Sequence, residues 1–323
     1  MHRLSTAIIL SSVAIAQTPK EAEISVAAKS PVTLARYVES HPTIDWKDLR
    51  SAFGLKESEH WLAPCGSDFP AAEAPCSVET ASVPKPDQTI LIIRGDQVSY
   101  TVEYLRYLQD SRGGWQFAGE NNAYQKNSPS HYRLMQFGDK PFLVISSDHS
   151  GNGIGVQQVL EDWFDLTQKS FDPVFSVTVD GSQFRFGFGV ARTTHAAYAL
   201  SHATEIERIE VALNVHFDGV VGLNQEAIYL GVYERPANAK TFTLRSAYSG
   251  ADRRTTISTR DFEELADPFS NLSNEKLLIY ALPGLQKIAT GSDPDAKAWL
   301  QRVLSFAKDT PERRALLELL RKR

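Results

Sequence analysis

Residues 147–155, SDHSGNGIG, carry side chains that suit a calcium ion. Asp148, Ser150 and Asn152 stand at alternate positions, as the first three ligands of an EF-hand loop do, and Gly153 follows where such a loop bends sharply. Calcium prefers oxygen ligands, and these side chains offer a carboxylate, a hydroxyl and an amide carbonyl. The run is therefore a candidate calcium loop.

The second half of this calcium pattern is incomplete. The EF-hand position that holds a bidentate Glu is occupied by Val159, so Glu161 and Asp162 would have to complete a non-standard site. Asp, Ser, Asn and Gly also favour turns, because their short polar side chains bond to the backbone and Gly accepts positive φ. We interpret the run as a corner between two strands and keep calcium as the weaker alternative.

The glycines of this run do not form a nucleotide-binding motif. They stand at positions 151, 153 and 155, so the third comes one residue too early for the dinucleotide fingerprint, and Val156 stands in its place. The Gly-Lys-Ser/Thr sequence that a P-loop needs does not follow. The sequence therefore predicts no cofactor, with calcium as the alternative.

Acidic residues surround Trp163 in the next stretch of the chain. Glu161, Asp162 and Asp165 flank the indole, and paired carboxylates beside an aromatic ring occur in sugar-cleaving enzymes. The same residues are typical of an ordinary strand or helix surface. This pattern supports the alternative hypothesis of a hydrolase, assisted by calcium if the preceding run binds it.

A second candidate metal site depends on a helix. His195, Tyr198, His202 and Glu205 would share one helical face, and two imidazoles with a carboxylate suit zinc. The two histidines, however, are two helical turns apart, a rise of about 10 Å, which is long for two ligands of one ion. We interpret them as surface histidines.

Residues 85–260 predict an antiparallel β-rich core. Segments rich in Val, Ile, Thr, Tyr and Phe alternate with short corners, and links this short join antiparallel neighbours. The stretch 156–166, VQQVLEDWFDL, fits helical spacing, but the strands predicted on both sides favour a strand. The other predicted strands are TILIIRG, VSYTVEYLRYL, GWQFAGE, HYRLMQF, PFLVISS, DPVFSVTV, RIEVALNVHF, AIYLGVYE and KTFTLRSAY.

Helices are predicted at both ends of this core. Residues 17–84 begin as a helical segment, with Pro31 at a first helical position, and continue into a loop closed by a disulfide. In residues 261–323, Asp293-Pro294 and Thr310-Pro311 each place a capping residue before a proline, which marks a helix start. The predicted fold class is α+β, with a mainly antiparallel β-sheet core, short N-terminal helices and a C-terminal helical segment.

The N-terminus predicts export from the cytoplasm. Residues 1–16 combine Arg3, a short apolar run and an Ala-x-Ala cleavage site before Gln17, as a secretory signal peptide does, and the run is too short for a membrane span. The mature protein is then expected in the periplasm or extracellular space. In such a compartment, Cys65 and Cys76 are expected to form a disulfide bond.

The net charge of the chain indicates which classes of molecule it does not bind. The formal net charge of −5 argues against binding to nucleic acid or to an anionic membrane surface. We therefore expect an exported soluble protein that binds a small-molecule ligand or a protein partner without catalysis. The alternative is an extracytoplasmic hydrolase that uses the acidic residues near Trp163, and the sequence leaves open whether the protein is an enzyme.

Overall fold

The structure is a computed structural model. The predicted signal peptide and both cysteines, Cys65 and Cys76, lie outside its described residues, so export and the disulfide stay predictions. Before residue 77 it describes only Pro31, Thr33 and Arg36, and all three are helical. The described residues are 31, 33, 36, 77–81, 83, 87–94, 101–124, 131–149, 156–185, 190–197, 206–217, 226–267 and 274–322.

Four strands form a small antiparallel sheet in chain order. The first of them lies before residue 85, in the segment that the sequence assigned to helices and a disulfide loop, so the β-rich part of the chain begins at Ser77. The strands are β1 (Ser77–Ala81), β2 (Gln88–Arg94), β3 (Thr101–Gln109) and β4 (Trp115–Tyr124).

Nine further strands form a second antiparallel sheet, in which each strand pairs with its neighbours along the chain. The predicted antiparallel core is therefore confirmed for the described residues, and the stretch 156–166 forms a strand, as its neighbours indicated. The strands are β5 (His131–Phe137), β6 (Lys140–Asp148), β7 (Val156–Asp165), β8 (Phe175–Arg185), β9 (Val190–Ala197), β10 (Ile206–Phe217), β11 (Glu226–Pro236), β12 (Thr243–Ser249) and β13 (Thr255–Ile257).

A tight turn sets the register at the start of the nine-stranded sheet. Phe137 pairs with Lys140, so Gly138 and Asp139 form a two-residue turn between β5 and β6. Gly138 has a φ of 62°, a conformation that side chains disfavour and that short hairpin turns require. The turn fixes which residues of β5 and β6 share a face.

Helices follow the sheets, and the predicted helix starts are confirmed. The Asp293 side chain accepts hydrogen bonds from two backbone N–H groups in the first turn of its helix, and Thr310 accepts one in the next helix. Pro294 and Pro311 occupy first helical positions, where a missing N–H costs little. The helices that follow the sheets are α1 (Thr259–Ala266), α2 (Asn274–Tyr280), α3 (Leu282–Thr290), α4 (Pro294–Phe306) and α5 (Pro311–Arg321).

Two apolar cores separate three layers. The four-stranded sheet packs on one face of β5–β7, and the helices pack on the other face of the nine-stranded sheet. The fold is thus α+β, with strands predominating. The core between the sheets includes Ile90, Ile92, Tyr104, Leu143, Ile145 and Phe164, and the helix-side core includes Phe142, Trp163, Tyr229, Phe262, Leu285, Trp299 and Leu304.

The nine-stranded sheet curls around its helix-side core. Three strands separate β7 from β11 in the sheet, yet the Arg235 guanidinium of β11 contacts the Asp165 carboxylate of β7 at 2.5 Å. Close by, the backbone N–H of Phe242 donates to the carbonyl of Val174 at 2.8 Å. The connection between β11 and β12 therefore closes against the connection between β7 and β8.

A buried arginine joins the two sheets. Arg106 of β3 is 1% exposed and donates to the Gln88 side chain at 2.7 Å and to the backbone carbonyls of Leu166 and Ser170 at 2.9 and 3.0 Å. Both carbonyls belong to the link between β7 and β8. Burial lowers the pKa of Arg106, and the charge of nearby Asp165 opposes that shift. The guanidinium thus satisfies acceptors from both sheets at once.

Replacing Arg106 by Leu should lower the free energy of unfolding by roughly 1–3 kcal/mol, because buried acceptors would lose their donor. Urea unfolding followed by circular dichroism would measure the change. Arg112→Leu, in the exposed turn between β3 and β4, is the matched control and should leave stability within about 0.5 kcal/mol. Equal losses in the two variants would contradict the role of Arg106 between the sheets.

Candidate functional site

Strand β7 places the acidic residues near Trp163 on opposite faces of the sheet. Trp163 belongs to the helix-side core and Phe164 to the core between the sheets. Because side chains alternate along a strand, Glu161 shares the face of Trp163, while Asp162 shares the face of Phe164. Glu161 and Asp162 therefore do not converge on one point, as a pair of catalytic carboxylates would.

Glu161 forms an ion pair with Arg133 inside the fold. Arg133 of β5 donates to both of its carboxylate oxygens, to Oε2 at 2.8 Å, and the Ser146 hydroxyl lies 3.4 Å from Oε1. The Glu161 side chain is 7% exposed. A two-pronged pair of this kind holds β5 and β7 across the intervening β6.

Both carboxylate oxygens of Asp165 also accept hydrogen bonds within the fold. Its Oδ1 accepts bonds from the backbone N–H and the hydroxyl of Thr167 at 2.9 and 2.6 Å, and its Oδ2 accepts from Arg235. Burial acts to raise the pKa of Asp165, but the bonds from Thr167 and Arg235 outweigh it and hold this pKa below its ordinary value. The carboxylate is a structural partner of Arg235.

Trp163 lies inside an aromatic cluster and not beside a cleft. Its indole is fully buried and makes edge-to-face contacts at centroid distances of 5.8–6.3 Å. Such contacts stabilise a core beyond the area that they bury. The rings around Trp163 are those of Phe137, Phe142, Phe175 and Phe242.

The calcium candidates are only partly described. Asp148 is the last residue of β6 and is 5% exposed, and alternation puts it on the Glu161 face, away from Asp162. Ser150 and Asn152 lie outside the described residues. Among the residues that the structure does describe, no group of three His, Cys, Asp or Glu side chains could hold a metal ion.

The chain around SDHSGNGIG joins two antiparallel neighbours. Asp148 at the end of β6 pairs with Val159 of β7, and the backbone N–H of His149 donates to the carbonyl of Gln158 at 2.8 Å. The run therefore connects antiparallel neighbours, and its interpretation as a corner and not a calcium loop stays a prediction. Residues 150–155 themselves lie outside the described chain.

The helical face proposed for zinc is not formed in its described part. His195 lies in β9, so the helix on which the zinc alternative depends does not run through this residue. Thr and small residues dominate β9, VARTTHAA, and its weak apolar pattern hid it from sequence reasoning. Tyr198, His202 and Glu205 lie outside the described residues.

Polar side chains gather on the face of β6–β8 that carries the core between the sheets. Ile145, Asp162 and Ser176 form one cross-strand row, and Leu160 pairs with Thr178 in the next. Gln158 and His149 continue this face toward the β6–β7 corner. We call the surface formed by His149, Gln158, Asp162, Ser176 and Thr178 the polar shelf.

Hydrogen bonds cross the polar shelf from β7 to β8. The Ser176 hydroxyl donates to Oδ1 of Asp162 at 2.5 Å, and the Gln158 amide donates to the Thr178 hydroxyl at 2.7 Å. Ser176 is exposed, and Asp162 and Gln158 are half-buried. Ser176, Asp162 and Gln158 are thus ordered at the edge of solvent, where a ligand can reach them, and Thr178 is buried beside Gln158.

The carboxyl of Asp162 is in an unfavourable place for a charge. Burial raises the pKa of Asp162 above its ordinary value, and the bond from Ser176 and the nearby His149 only partly oppose that shift. Within the described part of the chain, Oδ2 of Asp162 and the amide oxygen of Gln158 accept no hydrogen bond from the protein. Perturbed acids of this kind gather at functional sites.

Aromatic rings and an irregular strand border the polar shelf. The rings of Tyr124, from β4, and His149 lie nearly parallel, with centroids 6.1 Å apart. On β8, the pairing shifts between Asp180 and Thr178, so Val179 is the extra residue of a β-bulge. Bulges of this kind are common beside functional sites, because they redirect a side chain.

Sequence reasoning found only one member of the polar shelf as a candidate. Asp162 was identified, but for a calcium or hydrolase site with Glu161, which lies on the other face. The shelf residues His149, Gln158, Ser176 and Thr178 and the neighbouring Tyr124 were missed. They come from three strands, β4, β7 and β8, and from the residue after β6, and the sequence does not reveal how these strands pair. Alternation along β7, once it was known to be a strand, was the available signal.

Among known proteins, the chain matches no family model, no curated protein and no solved structure. Searching the described residues finds no helix that is long and apolar enough to cross a membrane. Function therefore has to be argued from the geometry of the polar shelf.

Proposed function

We propose that this is an exported protein that binds a ligand on the polar shelf without chemical conversion. The observation that carries the proposal is the state of Asp162: half-buried, with a raised pKa and one carboxylate oxygen left open among the described residues. This oxygen is not sealed from solvent, so a donor from outside the protein can reach it. A ligand on the shelf would supply that donor.

Binding accounts for the shelf better than hydrolysis does. A glycosidase needs two carboxyl groups about 5–10 Å apart across one bond, and the nearest acidic neighbour of Asp162 along β7 points to the other face. In a hydrolase triad, a histidine bridges the serine and the aspartate. Here Ser176 donates directly to Asp162, so no histidine stands between the two groups.

Thermal unfolding with representative small molecules tests this proposal. Glucose, putrescine, citrate and glycine represent neutral hydroxylated, cationic, anionic and zwitterionic ligands. We expect one class to raise the melting temperature, because a ligand at a hundredfold excess over its Kd stabilises the fold by about 2.7 kcal/mol. Asp162→Asn should reduce the response to about half, as a tenfold weaker Kd does, and Asp172→Asn, an exposed match outside the shelf, should retain it in full.

The stability of the unliganded variants gives a second readout. Since the raised pKa means that ionised Asp162 destabilises the fold, stability falls as the pH rises through this pKa. Asp162→Asn should therefore melt at the same temperature as the wild type or higher at neutral pH. Two results would count against a binding role for Asp162. One is a lower melting temperature of Asp162→Asn, and the other is a ligand-induced rise in melting temperature as large as that of the wild type.

Export and the disulfide complete the proposal. We propose cleavage before Gln17, a Cys65–Cys76 bond, short N-terminal helices, and residence in the periplasm or extracellular space. Protein purified from its native compartment should begin at Gln17 by N-terminal sequencing and show no reactive thiol until it is reduced. An intact Met1, or two thiols that titrate without a reductant, would refute this part.

A further inference from the structure

We propose that the ligand of the polar shelf is a neutral polyhydroxylated molecule, a sugar unit of a glycan. This inference rests on the binding role proposed above. It starts from the groups that the described structure leaves open: Oδ2 of Asp162 and the amide oxygen of Gln158 are acceptors, while the Thr178 hydroxyl and the His149 ring can donate. The shelf thus offers both kinds of hydrogen-bonding group.

A sugar hydroxyl matches this mixture because it donates and accepts at once. An ammonium ion only donates, so it would leave the donors of Thr178 and His149 unmatched. An anion would be repelled by the Asp162 carboxylate and would offer Gln158 Oε1 no donor. Neutral hydroxyl groups are the class that satisfies every open group of the shelf.

Geometry along the strands also suits a row of hydroxyl groups. Gln158 and Asp162 lie four residues apart on one face of β7, a separation of about 13 Å, and Thr178 lies between them on β8. That spacing exceeds one sugar ring and fits an oligosaccharide laid along the strand. The Tyr124 ring, beside His149, lies at the Gln158 end and offers an apolar face to the C–H groups of a sugar.

The irregularity of β8 gives independent support. The bulge at Val179 lies directly after Thr178 and before Asp180, the pairing partner of Val159, so β8 is irregular beside the bond between Gln158 and Thr178. Thr178 is 8% exposed, and its hydroxyl accepts a hydrogen bond from the Gln158 amide, which holds it in place. Ordered side chains bind with a smaller loss of conformational entropy.

The test is isothermal titration of the mature protein with hexasaccharides of glucose, mannose and N-acetylglucosamine. Hexaethylene glycol, which lacks the hydroxyl array, and putrescine, which is cationic, are the comparison compounds. We expect at least one hexasaccharide to bind, and Asp162→Asn and Thr178→Val each to weaken it about tenfold, as the loss of one strong hydrogen bond does. Asp172→Asn should bind as the wild type does.

The outcomes separate this inference from the proposed function. Binding of putrescine but of no hexasaccharide, lost in Asp162→Asn, would overturn the sugar and leave the binding role of the shelf intact. Hexasaccharide binding that Asp162→Asn and Thr178→Val leave unchanged, with both variants folded by circular dichroism, would overturn both. Failure of every compound, including those of the thermal series, would also overturn both.

Discussion

Replacing Arg235 by Ala is expected to lower the free energy of unfolding by about 3–5 kcal/mol, because it leaves the carboxylate of Asp165 buried without its cation. Arg235 is 4% exposed, donates to Asp165 at 2.5 Å and lies over the rings of Phe142 and Phe242 at 5.9 and 5.7 Å. The substitution therefore removes the charge partner and its packing together. Denaturant unfolding at neutral pH would measure the loss.

Two control variants separate the buried charge from packing. Replacing Arg235 and Asp165 together by Leu should recover much of the loss, since a buried pair replaced by apolar side chains is often near neutral in stability. Arg254→Ala removes one partner of the exposed Asp252 pair and should cost no more than about 1 kcal/mol. A double variant no more stable than Arg235→Ala would show that charge is not the cause.

The same pair predicts how acid affects the protein. Because the pKa of Asp165 is lower in the folded state, its contribution is present above the ordinary carboxyl pKa and is lost as the pH falls through the lowered one. Wild-type protein should therefore lose stability in acid more steeply than the double Leu variant. Melting temperatures of both between about pH 6 and 2 would show the difference.

Trp163→Ala should destabilise the protein by about 3–5 kcal/mol, the range for removing a large aromatic side chain from a packed core. The indole is 0% exposed and touches four Phe rings, so the cavity has little chance of being filled by a neighbour. Equilibrium unfolding in urea would give the change. Trp163→Phe, which keeps a ring, should cost less.

Phe306→Ala is the matched control for this prediction. Phe306 is also aromatic but is 75% exposed at the end of α4, so its removal should change stability by about 0.5 kcal/mol or less. If Trp163→Ala behaved like Phe306→Ala, the aromatic cluster would not be part of the folded core. The ligand responses proposed for the polar shelf should survive in either variant that folds.

Local signals in the sequence predicted most of the elements. The pairs Asp293-Pro294 and Thr310-Pro311 predict helix starts, because a capping side chain and a proline both act within the first helical turn. The segments rich in β-branched residues predict strands of the core. The strands that were missed, β1, β9 and β13, are short or poor in large apolar residues. Their pairing depends on neighbours in the sheet, which a local pattern does not contain.

Contacts between residues that are distant in the sequence could not be predicted from local sequence patterns. Arg235 and Asp165 are separated by 70 positions, and only the curl of the sheet brings them together. The polar shelf likewise depends on register, because a shift of one residue along β7 would exchange Asp162 for Glu161. The sequence identified Asp162 as a chemically interesting residue but could not show which side chains would surround it.

The pairing of each strand with its neighbours along the chain has a consequence for how the protein folds. Every hairpin of the nine-stranded sheet closes a local loop, so the sheet can grow strand by strand at a small entropy cost per step. The contacts between the β7–β8 and β11–β12 connections span far more of the chain. We therefore expect an open, extended sheet to form first and to curl around its helices last.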